Sequence, residues 1–66
     1  MDKATHKRYL DYRDLHVYFG GKKRLFTPDE FAPLDAEYAA LKAKGDERDD
    51  EEEARIAALA TLLHRD

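Results

Sequence analysis

The chain contains no cysteine and no tryptophan, and it also lacks serine, asparagine and glutamine. Without cysteine there is neither a disulfide nor a thiolate metal site to brace a small fold. Without serine or cysteine, the hydroxyl nucleophiles are Thr5, Thr27, Thr61 and the tyrosines. Thr27 is better explained as a helix cap and Thr61 as a helix-surface residue. A chain of 66 residues has little volume for a water-excluding pocket. No enzyme activity and no cofactor are therefore expected, and no residue is given a catalytic role. The missing amides, beside 41% charged residues, are a bias shared by thermophilic proteins and by GC-rich genomes.

Long apolar runs are absent too. Nothing approaches the roughly 20 residues needed to span a bilayer. The opening "MDKATHKRYLDY" carries positive charge with no apolar segment behind it, which reads against a secretory signal. The expectation is a soluble, cytoplasmic protein with no membrane association. His6, His16 and His64 stand far apart, with no partner four residues away, so each is read as a surface or rim residue and no metal site is expected. The acidic run "DERDDEEE" lacks the glycine and the alternating ligands of a calcium loop. A solvated helix N-terminus accounts for it. Gly20-Gly21-Lys22-Lys23 lacks the spacing and the hydroxyl of a phosphate-binding loop.

A single domain over 1–66 is expected, with residues 1–6 loose. A chain this short buries only about 60% of its unfolded surface, so its core is thin. Pairing with a second copy or with another protein is one way to add stability. Charge is unevenly placed. Residues 1–26 hold seven Lys/Arg against three Asp/Glu, whereas residues 27–66 hold five against twelve, within a net charge of −3. That asymmetry points to an anionic partner, to head-to-tail attraction between copies, or to a basic segment lying on its own acidic helices.

The second half carries complete helix signals. In "FTPDEF", Thr27 is the N-cap, Pro28 the first helical residue and Glu30 the capping-box partner, with Phe26 and Phe31 placed as a hydrophobic staple. Phe31, Leu34, Tyr38 and Leu41 follow at helical spacing, and Gly45 ends the run. Pro33 predicts a kink or a separate initial turn. Asp49 caps the last helix with Glu52 as its box partner, and Glu51 is spaced to pair with Arg55. Ile56, Leu59 and Leu63 form its stripe. The short connection predicts an antiparallel αα-hairpin over about 28–44 and 50–64. Its seam is Tyr38, Leu41, Ile56, Leu59 and Leu63, with alanines allowing close approach.

The first part is open to two readings. "DYRDLHVYFGG" fits a short helix over about 11–19, with Asp11 as cap, Tyr12, Leu15 and Phe19 on one face, Phe19 pointing into the core, and Gly20 as stop. The fold is then all-α. The alternative is α+β, with a β-hairpin (15–19 and 22–26) packed on the helical hairpin. The helix is preferred, because the β-hairpin sets Val17 against Arg24 and Phe19 against Lys22.

The function expected is that of a small protein–protein interaction module, a regulator or adaptor. It acts through its helical hairpin on another protein or a second copy, with Tyr9, Tyr12, Tyr18 and Leu62 as candidate contacts. The alternative is nucleic-acid binding through Arg8, Arg13, Lys22, Lys23 and Arg24, with tyrosines stacking on bases. The acidic overall balance weighs against it.

Overall fold

The computed structural model describes residues 2–21 and 23–65. Among them are three α-helices and no strand: α1 (Lys3–Tyr18), α2 (Pro28–Lys44) and α3 (Asp50–Leu62), with a 3-10 turn at Gly45–Glu47. The fold is all-α, and the β-hairpin reading is not supported. Residues 15–18 belong to α1, and residues 24–27 pass to α2 without regular structure.

α1 starts well before residue 11. Its cap is Asp2, whose side chain accepts the Thr5 N–H at 2.8 Å. Residues 3–6, expected to be loose, form its first turn. The earlier start lets Tyr9, Tyr12 and His16 share one buried face at i, i+3 and i+7. Leu15 lies beside that face and is 37% exposed. Phe19, expected in the core, is the C-cap and 62% exposed: it continues the Tyr12–His16 face, but at the end of the helix, where its ring lies on His64 at the surface.

Both capping boxes of the hairpin are formed. Thr27 and Glu30 exchange side-chain bonds with each other's N–H at 3.2 and 3.0 Å, as do Asp49 and Glu52 at 2.8 and 3.3 Å. α2 runs through Pro33 as one helix, with no separate initial turn. The proline sits so near the N-terminus that it removes only one of the first intrahelical bonds, and its ring faces solvent. Arg55 does not take the local partner Glu51. It reaches across to Glu37 on α2, at 2.7 and 2.8 Å, while Lys44 pairs with Glu52 near the turn.

α2 is the central element and packs on both other helices, whereas no Cα atoms of α1 and α3 lie within 8 Å of each other. The molecule is a slab of about 33 × 27 × 16 Å, little thicker than one helix with its side chains. Its core is Tyr9, Tyr12, Phe31, Tyr38, Leu41, Leu59 and Leu63, extended by Leu25, Phe26, Leu34, Ile56 and Ala60. Tyr12, 2% exposed, stacks on Phe31 and Phe26 at 5.3 and 5.9 Å between centroids. The two buried phenols also hold the loop. Tyr9 Oη donates to the Phe26 carbonyl at 2.9 Å, and the Phe26 N–H donates to Tyr12 Oη at 3.1 Å. Both backbone groups of Phe26 are thus satisfied by side chains of α1.

Candidate functional site

The charged residues first show what is not available for a partner. Asp35 of α2 is 3% exposed and receives Arg8 Nε at 3.0 and 3.1 Å, Arg8 Nη2 at 2.9 Å and Arg65 Nη2 at 2.7 Å. Burial raises its carboxyl pKa, but the two guanidiniums outweigh burial and hold it below the ordinary value. The Arg65 guanidinium also lies over the Phe31 and Tyr38 rings at 5.7 and 5.2 Å. Arg24 makes a two-pronged pair with Glu30 at 2.6 and 2.7 Å, and that hydrogen bond pulls the Glu30 pKa down to about 2. Two of the five expected anion contacts, Arg8 and Arg24, are therefore engaged by carboxylates of α2. Arg13 and Lys23 are exposed; Lys22 lies outside the described residues.

The aromatic candidates divide. Tyr9 and Tyr12 are core residues and present no contact surface. Tyr18 is 80% exposed. Leu62 is half-buried and lines a cleft described below. The hairpin stripe is likewise unavailable, since Tyr38, Leu41, Leu59 and Leu63 are buried and Ile56 is half-buried against them.

The large apolar surface left in water lies instead at the end of α1. Leu15, Tyr18 and Phe19 fall at i, i+3 and i+4 on one face, and Val17, 71% exposed, stands across the helix from Leu15 and Phe19. The Tyr18 and Phe19 rings meet edge to face at 5.1 Å.

Beside it opens a cleft of about 390 Å³ between the C-terminal ends of α1 and α3. Both helices finish in the same way. The Gly20 and Gly21 N–H groups return to the Val17 and His16 carbonyls, and those of His64 and Arg65 to the Thr61 and Ala60 carbonyls. Gly20 has φ 96°; the matching position after α3 is His64, with φ 57°. That turn places the His64 ring between Tyr12 and Phe19, at 5.7 and 5.5 Å and within 27° of parallel to each. Its Nε2 lies 3.2 Å from Nδ1 of His16, one nitrogen donating and the other accepting. Burial, then His16, then Lys23 push the His64 pKa below its ordinary value.

Both histidines read from the sequence as surface or rim residues, but His16 is buried; the pairing was not legible because the residues that meet here are 48 apart. The available signal was that His16 continues the Tyr9–Tyr12 face. Among the described residues no group of three or more His, Cys, Asp or Glu side chains is placed to hold a metal ion. None of the described helices is long and apolar enough to cross a membrane. Comparison with known proteins finds no matching family model, no matching curated protein and no matching solved structure.

Proposed function

We propose that this is a small, non-enzymatic interaction module of the cytoplasm, which docks on another protein, or on a second copy, through the C-terminal end of α1. The observation that carries the reading is the exposed Leu15–Tyr18–Phe19 face, with Val17 exposed across the helix, left in water by a chain with little apolar surface to spare. Accessible area supports it. The chain exposes 4882 Å², whereas a compact monomer of 7.7 kDa is expected to expose about 4,300 Å². The docking element differs from the expected one: the hairpin stripe is buried in the chain's own core, and the free apolar surface belongs to α1. Aromatic anchors of this kind dominate interface energetics when a partner desolvates them. The nucleic-acid alternative is weaker, since Arg8 and Arg24 are neutralised within the chain.

The test replaces Val17 and Tyr18 together by glutamate. Affinity capture with nuclease, and sedimentation over a range of concentrations, then separate a foreign partner from a second copy. A protein partner or a dimer that survives nuclease and is lost in the double variant supports the reading. Captured nucleic acid, or a partner indifferent to both substitutions, overturns it.

A further inference from the structure

We infer that the cleft between the ends of α1 and α3 is a binding site for a small carboxylate with a flat apolar body, such as an aromatic acid. The site belongs to the single chain and does not depend on the docking reading, with which it shares only Phe19. Its volume, about 390 Å³, is within the range of small-molecule pockets, roughly 300–1,000 Å³. Its rings stack on one another: Phe26 lies within 20° of parallel to Tyr12, and His64 stacks between Tyr12 and Phe19. An aromatic guest meets the exposed Phe19 ring beside the half-buried Phe26 and Leu62.

The charged side chains at the cleft are of one sign. Lys23, Arg24 and the two imidazoles line it, and no Asp or Glu among the described residues does, in a chain with 15 of them. Arg24 is already held by Glu30, which leaves Lys23 and the histidines to meet a guest carboxylate. The groups around His64 are His16 and Tyr12 from α1, Phe19 at the end of α1, Lys23 from the loop and Thr61 from α3. None of them is an anion at neutral pH. The His16–His64 contact tolerates one added proton, because one nitrogen can still donate to the other. A bound carboxylate supplies the countercharge which that proton otherwise lacks. His64 occupies a left-handed position where glycine is the less strained choice, and that turn sets its ring on the cleft wall.

The probe pair is 2-naphthoate and its neutral amide, titrated into isotope-labelled protein and followed by NMR at Gly21, Lys23 and the histidine rings. The acid is expected to bind at least about fivefold more tightly than the amide near pH 6, with the margin shrinking near pH 8. Lys23→Ala should remove the preference, as should His64→Asn, which keeps a residue tolerant of positive φ, with the helical circular dichroism intact. Equal affinity for acid and amide overturns the inference. So do no binding of either, shifts centred on Arg8 and Lys42, and binding restricted to a peptide ending in phenylalanine.

Discussion

At the scale of single residues, the buried polar groups decide the behaviour. Asp35→Asn removes the charge on which Arg8 and Arg65 converge. Because both arginines retain access to water, the expected cost is about 2 kcal/mol rather than the larger penalty of a sealed ion pair. Thermal denaturation should show a midpoint lower by on the order of 10 °C. Acid should act in two stages. Unfolded His64 takes up its proton near pH 6.5 and the folded residue only below that, so the unfolded chain binds more protons in between and stability falls as pH drops below 6.5. A second loss follows as the pH passes from about 4.5 toward 2. There the carboxylates with depressed pKa values, Glu30, Glu37, Glu52, Asp35 and Asp2, give up the stability they contribute at neutral pH. Urea unfolding at several pH values resolves the stages, and His64→Asn should abolish the first alone. Little of this was legible in the sequence. Tyr9 and Tyr12 read as surface contacts because nothing local shows that their hydroxyls will find the two backbone groups of Phe26.

At the scale of elements, the text and the structure agree where the signals are local. Thr27–Glu30 and Asp49–Glu52 are capping boxes in both, because each is decided within four residues. Where the partner is distant the reading goes astray: Arg55 prefers Glu37 on the facing helix to Glu51 on its own. The start of α1 was missed for a related reason. Asp2 caps it without an acidic or amide residue at Thr5 to complete a box, so the signal is half the usual one. Its end was read correctly at Gly20. With φ 96° and nothing within 4 Å of an added Cβ, Gly20→Ala meets a purely conformational penalty, expected to be about 1 kcal/mol. Circular dichroism should show the loss of the last turn of α1 alone. Thr27→Ala should cost a similar amount, about 1 kcal/mol in urea unfolding, through the cap of α2.

At the scale of the molecule, the all-α hairpin was legible and its use was not. An apolar stripe in a sequence does not say whether its cover is another chain or another part of the same one; here it is buried within the chain's own core. The docking end of α1 can then be altered without touching the core. The Val17/Tyr18 double glutamate variant should keep the wild-type melting temperature to within about 0.5 kcal/mol of stability while losing its partner. The slab has one further consequence. α1 is bound to the rest through Arg8–Asp35, the aromatic stack and the His16–His64 contact, with no backbone closeness to α3. Its release therefore makes an opening smaller than global unfolding. Phe26 is the reporter of that event, since its amide sits in a loop yet is held only by a phenol of α1. In deuterated water that single amide should exchange at the pace at which α1 lifts away, ahead of Tyr38 and Leu41 in the middle of α2. A loop position thus serves as a stopwatch for the detachment of a helix.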